Sequence, residues 1–292
     1  MKQKAVLSVI LAGVLWGIIN IFVKTLSAAG IGPLQISAVR MVVSAVLFVG
    51  FLAVTDREKL KIKLRDVWMF IGTGIVSVGL FNVCYFYTMV ESQASVAVVL
   101  LYTSPVFIML LSAPLFKERI TLRKIIALVL TFAGCVLVTG LLGGGYTITP
   151  KVLFTGLCSG FFYALYTIFG RYALKKYDTM TVTAYTFLFG MIAAVPLGSV
   201  GKTVSILSES PVLILFCVGI GILCTVLPYF FYTWGLERME SGKAAILVAV
   251  EPIVGAVLGM TVYHESHDAA KLAGIALILA AIVLLNLNEE KA

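Results

Sequence analysis

Ten runs of roughly 20 mostly apolar residues fill most of this 292-residue chain. A helix needs about 20 such residues to cross the hydrocarbon core of a bilayer. The runs are read at 5–25, 34–54, 67–90, 95–115, 122–141, 151–173, 180–200, 211–235, 243–263 and 269–287. They are apolar on every face. Barrel strands would instead alternate apolar and polar residues over about ten positions, and soluble helices would carry one polar stripe. Lipid cannot satisfy backbone polar groups, so the runs must close their own hydrogen bonds as helices. The expected fold is an all-α integral membrane protein with ten transmembrane helices. Composition agrees: 61% hydrophobic and 12% charged, against about 45–50% and about 25% for a soluble domain. The lipid bilayer is therefore the first partner expected.

The formal net charge is +8, which on a soluble chain would suggest nucleic acid. Here the basic residues sit in short loops between apolar runs, so no nucleic-acid partner is expected. With a cytoplasmic N-terminus and ten spans, 17 of the 22 Lys and Arg residues fall on the cytoplasmic side. Only Lys24, Lys151, Lys202 and Lys271 fall on the other, and Arg40 lies within a span. That bias predicts a multi-pass protein of the cell (inner) membrane with both termini cytoplasmic.

Shifted by 147 positions, the chain matches itself. Gly13 meets Gly160, Trp16 meets Tyr163 and Lys24 meets Arg171. Further on, Gly72, Gly74 and Ile75 meet Gly219, Gly221 and Ile222, and Tyr85 meets Tyr232. Pro105 meets Pro252, Glu118 meets Glu265 and Lys124 meets Lys271. From 67 to 124 the register needs no gap and holds eleven identities. The expected organisation is a first repeat at 1–142, a Gly-rich linker at 143–150 and a second repeat at 151–292. Five spans is an odd number, so the second copy is expected to enter the membrane from the opposite side. Inverted repeats recur among transporters, with substrate held near the midplane at the repeat interface. The register also makes the first apolar run the counterpart of the sixth, so it is read as a retained helix rather than a cleaved signal.

Other chemistries find little support. The five cysteines all lie in apolar runs without a C-x-x-C pair, as small buried hydrophobes do. His264 and His267 with Glu265 make a poor metal site, because no further ligands cluster near them. No G-x-x-x-x-G-K-[ST] loop is present, so no ATP-driven chemistry is expected of this chain. No cofactor, no metal and no enzymatic activity are expected, and a monomer is sufficient for the reading.

The stretches LWGIINIFVK in the first run, SPVFIMLLSAPLFKERIT in the fourth and VEPIVGAVLGMTVYHES in the ninth resemble the EamA family of the drug/metabolite transporter superfamily. The thirteen-residue spacing from Pro105 to Glu118 and from Pro252 to Glu265 is the most specific part of the likeness. Arg40, following Pro33, is similar to the family pattern too, but the second repeat has Phe187 at that place. The resemblance covers essentially the whole chain. It implies a ten-helix transporter with a central cavity, exporting amino acids, other metabolites or toxic compounds.

Several residues are candidates for that cavity. Glu251 falls near the bilayer centre, where a charge costs at least about 2.5 kcal/mol. It is read either as a seat for a substrate amine or a coupling proton, or as a structural partner for Arg40 or free backbone groups. Arg40 needs a partner inside the bundle for the same reason, and with Lys24 it offers an anion site, although Lys24 is read first as a residue that snorkels to the interface. Trp16 and Asn20 share a face of span 1; Tyr163 and Thr167 hold the matched face of span 6. Asn82, Tyr85, Tyr102, Thr103, Tyr229 and Tyr232 complete an aromatic and hydroxyl-rich set. A mostly apolar pocket with a few polar groups suits a small amphipathic substrate. Pro105 and Pro252 each free the carbonyl four residues back, on Leu101 and Val248, and are read as paired hinges. The small-x-x-x-small pairs Gly13/Gly17, Gly156/Gly160 and Gly255/Gly259 are read as close helix packing. Glu118 and Glu265 are read as capping or turn residues. The expected function is secondary or facilitative export of small metabolites such as amino acids by alternating access. The rival is multidrug efflux of cationic, aromatic compounds, driven by protons.

Overall fold

The computed structural model of the protein describes residues 2–143, 148–264 and 268–286. No strand occurs among the described residues. Ten long helical stretches follow the ten apolar runs. They are α1 (Gln3–Ala28), α2 (Pro33–Thr55), α3 (Leu64–Glu91) and α4 (Ala94–Phe116), then α5 (Leu122–Val138). The second half holds α6 (Pro150–Leu174), α7 (Thr179–Leu197), α8 (Pro211–Leu236), α9 (Ser241–Val262) and α10 (Ala269–Asn286). A short helix, Val200–Glu209, lies between α7 and α8.

Nine of these stretches, all but α5, are long and apolar enough to cross a membrane. α5 has 17 residues, about 26 Å at 1.5 Å per residue, a little short of the ~30 Å hydrocarbon core. The expected run of 122–141 ends early because Gly140 turns left-handed, with φ +70°. The Gly-rich linker's Gly144 and Gly145, and Glu265 and His267 of the sequence analysis, lie outside the described residues.

Helix ends obey local chemistry. Thr121, Thr149, Asp178 and Asp268 each accept a hydrogen bond from the backbone amide three residues on, the usual N-cap geometry. Pro33, Pro150 and Pro211 open helices, where a missing amide costs nothing. Large apolar residues on the outer faces, such as Leu7, Val54, Phe154 and Leu215, remain exposed, as a surface meant for lipid requires.

Exchanging the two halves leaves the packing scheme intact. α1 packs against α8 and α9, and its counterpart α6 packs against α3 and α4. α2 lies against α7 and α8, while α7 lies against α2 and α3; α5 pairs with α10 along its length. Local irregularities repeat too. α3 holds a π-helical segment at Gly72–Gly79 and α8 one at Ile222–Val226. The 147-residue register carries the first onto 219–226, which contains the second. α1 is also broken, at Ile18, whereas α6 runs unbroken.

Seven ion pairs join described residues, and all lie where the Lys- and Arg-rich loops meet, here termed the basic end. Lys59 reaches Asp178 at 3.0 Å, linking the α2–α3 loop to the start of α7. Burial works against the Asp178 carboxylate, but bonds from Thr181 and Lys59 outweigh it and hold its pKa below the usual value. This contact is therefore fully charged at neutral pH, and it weakens only as acid protonates Asp178.

Candidate functional site

Two broken helices build the site. α4 is helical over Ala94–Leu101 and again over Ser104–Phe116; α9 is helical over Ser241–Leu247 and Val250–Val262. The breaks fall within one residue of each other in the repeat register. Pro105 and Pro252 cause them, since neither has an amide for the carbonyl four residues back. Shorter i to i−3 bonds close the turns: the Thr103 amide donates to Leu100 O at 3.2 Å, and the Ala249 amide to Ile246 O at 3.1 Å.

Matched glycines press on these breaks. A Cβ on Gly13 would stand 2.6 Å from the Val248 carbonyl oxygen, which has no amide from Pro252 and accepts from the Glu251 amide at 3.1 Å instead. A Cβ on Gly160 would stand 3.3 Å from the Leu101 oxygen, the one Pro105 leaves free. Only glycine lets α1 and α6 come this close to the irregular backbone.

A narrow cavity lies where the breaks face each other. α4 lines it with Leu101, Tyr102, Ser104, Pro105 and Ile108; α9 with Ala245, Val248 and Glu251; α6 with Tyr163. Leu101 is the register partner of Val248, and Ser104 the partner of Glu251, so the two walls are built from equivalent positions. In this conformation there is room for little more than a water-sized guest.

Glu251 is half-buried. Its carboxylate makes no ion pair with any described residue. The Tyr102 hydroxyl lies beside it, buried and without a hydrogen bond of normal geometry. Tyr85 and Tyr163 lie within its electrostatic reach, as does Arg40.

Arg40 is committed elsewhere. Its Nε donates to Thr225 Oγ1 at 2.9 Å and its Nη2 to the Cys224 carbonyl at 3.2 Å. Pro228, four residues on, has no amide to offer that carbonyl, and the guanidinium satisfies it. Nη1 makes no hydrogen bond with a described residue, and the side chain stays half-exposed. Lys24 stands over the ring of Tyr263, 3.3 Å from its centroid, away from Arg40's bonds.

The other candidates divide by depth. Asn20 is exposed on the side of Gly255, and Tyr85 is half-buried. Asn82 lines a separate crevice with Leu34, Ser37 and Gly190, and its amide donates to Val78 O at 2.6 Å inside its own helix. Trp16 and Tyr229 meet edge to face, 5.1 Å apart. Thr167 and Tyr232 hydroxyls bond to each other at 2.8 Å and are closed off from solvent. Tyr166, Phe187 and Phe48 join this aromatic mass around Tyr229. Tyr232 carries it toward the basic end, within electrostatic reach of Glu118 and Arg171.

Sequence reasoning did not single out Ser104, Tyr166 or Ala245. Ser104 carried a usable signal, being the register partner of Glu251 directly before the matched proline. Tyr166 and Ala245 carried none, since an aromatic or a small residue in an apolar helix looks the same facing lipid or lumen.

Comparison with known proteins agrees with this architecture. An uncharacterized transporter of Archaeoglobus fulgidus is 28% identical over 290 residues, covering 95% of this chain and 94% of its own length. An uncharacterized inner membrane transporter of Salmonella typhimurium, YicL, is 26% identical, covering 99% of this chain and 97% of its own. A crystal structure 17% identical superposes with a TM-score of 0.80 over 100% of this chain and 99% of that one, which shows a shared fold. The description "EamA-like transporter family" matches twice, at residues 3–140 and 150–287. With its duplicated halves and its bundle of long apolar helices, the chain belongs to the EamA-like transporter family.

Proposed function

We propose that this protein is a secondary or facilitative transporter that exports small metabolites such as amino acids by alternating access. In this reading α5 completes a set of ten spans, and the two five-helix halves lie inverted in a cell membrane with both termini cytoplasmic. The basic end then faces the cytoplasm. Substrate sits between the breaks of α4 and α9, among Tyr102, Ser104, Tyr163 and Glu251, with Asn20, Arg40 and Tyr85 on the opposite approach. Pro105 and Pro252 serve as the paired hinges. Trp16, Asn82, Thr167, Tyr229 and Tyr232 form the wall that repacks as the cavity changes sides.

The observation that carries the reading is the Glu251 carboxylate, half-buried in the cavity wall without an ion pair to any described residue. An ionisable group inside a membrane protein is costly, and function is its default explanation. A substrate ammonium group, or a proton, would supply the missing partner. Arg40, with one nitrogen uncommitted, gives a zwitterion a place for its carboxylate. Purified protein in liposomes is expected to take up a labelled amino acid with saturation, and protein-free liposomes are not. Absence of saturable flux across a broad metabolite panel would sink the proposal.

The tyrosines around Glu251 favour a second reading, multidrug efflux of cationic aromatic compounds. Cells lacking the gene would then become drug-sensitive without any change in released metabolites.

A further inference from the structure

Four helix ends converge on one carboxylate at the basic end. Glu118 follows the last turn of α4 and is 9% exposed. Its Oε1 accepts from the Ser241 amide at 2.7 Å and its Oε2 from the Gly242 amide at 3.2 Å. These are the first amides of α9, which carry the positive end of that helix's dipole. Arg171, in the last turn of α6, brings Nη2 to 3.7 Å from Glu118 Oε1. Its Nη1 donates to the carbonyls of Leu236 and Met239 at the end of α8. The capping role read from the sequence is present, but the helix capped begins 123 residues away.

The helices that Glu118 ties together are the same two whose breaks wall the cavity. Ser104 and Ile108 lie on α4 between the break and Glu118; Ala245 lies on α9 between Ser241 and the break that begins at Val248. A path from the cavity to the basic end must part these segments, and Glu118 bridges them at the far edge. Lys124, at the start of α5, adds a second tie by pairing with Glu240 at 2.6 Å.

We propose that Glu118, held between the opening amides of α9 and the Arg171 guanidinium, is the latch that keeps the cavity closed toward the basic end. It rests on the transporter reading. The chemistry suits a reversible contact. The attraction within a partly buried ion pair is largely offset by the water its members give up. Every group in the latch sits at the membrane edge and can be hydrated once the ends separate. Removing one member leaves its partner buried and uncompensated, so the balance shifts toward opening.

The test uses Ser104→Cys, at a position 4% exposed in the cavity wall, in reconstituted full-length protein. A membrane-impermeant maleimide is applied to one face at a time, and the parent with its five native cysteines gives the background. Adding Glu118→Gln, or separately Arg171→Gln, is expected to raise labelling from the basic end by about tenfold or more, with no rise from the opposite face. An unchanged rate in either variant overturns the latch, and so does an equal rise from both faces. The readout needs no substrate, so the latch stands or falls independently of any flux measurement.

Discussion

Glu251→Gln is expected to lower saturable uptake by about tenfold or more, with Glu251→Asp retaining part of it. The substitution keeps the shape of the side chain and removes its charge. A hydrogen bond to a charged group contributes about 1.5–3 kcal/mol, and each 1.4 kcal/mol is about a factor of ten in affinity. Glu251 stands where two walls of equivalent residues meet, with a neutral serine as its register partner. No described cation pairs with it, so its loss leaves no orphaned positive charge and should leave the fold intact. The measurement is initial uptake into liposomes at matched protein content. Unaltered uptake in the Gln variant would remove Glu251 from the transport site.

Gly13→Ala should destabilise the protein by about 1–3 kcal/mol, the range for overpacking a close contact. Its Cβ would fall 2.5 Å from Val250 Cγ1 and 2.6 Å from the Val248 carbonyl oxygen. The side chain can turn away, but the carbonyl belongs to the break in α9 and moves only if the break moves. Gly160→Ala meets Thr103 Oγ1 at 2.5 Å and Leu100 O at 3.0 Å and should act in the same direction. Gly255→Ala is the control, because its nearest neighbour, Asn20 Nδ2, is 3.8 Å away. Thermal unfolding in detergent should show a lower midpoint for Gly13→Ala and little change for Gly255→Ala. A Gly13→Ala midpoint at or above the parent's would show that α1 does not depend on this contact.

Much of the backbone was legible in the sequence, and the reasons are local. Apolar run length located the helices, and proline chemistry located the breaks at Leu101 and Val248. The 147-residue register anticipated that irregularities in one half would recur in the other, as the π-helical segments and the Gly13 and Gly160 contacts do. Side-chain direction was not legible. A helix that is apolar all round carries no stripe to say which face looks inward. Thr167 and Tyr232 were therefore grouped with Tyr85 and Tyr163, although their hydroxyls bond to each other in a sealed contact. Asn82 was grouped with them too, although it lines a different crevice. Arg40 was expected to need a partner, and it finds Thr225 and the Cys224 carbonyl; Pro228 marks that carbonyl as lacking an amide, but no sequence pattern says that α2 brings Arg40 to it. The run at 122–141 was read three residues too long, because apolar residues continue past the end of α5 at Val138 and the turn at Gly140.

The account depends on two five-helix halves lying head to tail in the membrane around the cavity at Glu251. Reporters of sidedness fused after Leu142 and after Ala292, in otherwise identical full repeats, test this most directly. The account expects the first on the far side of the membrane and the second in the cytoplasm. Both reporters on the same side would mean an even number of crossings between them, and the inverted arrangement would be wrong.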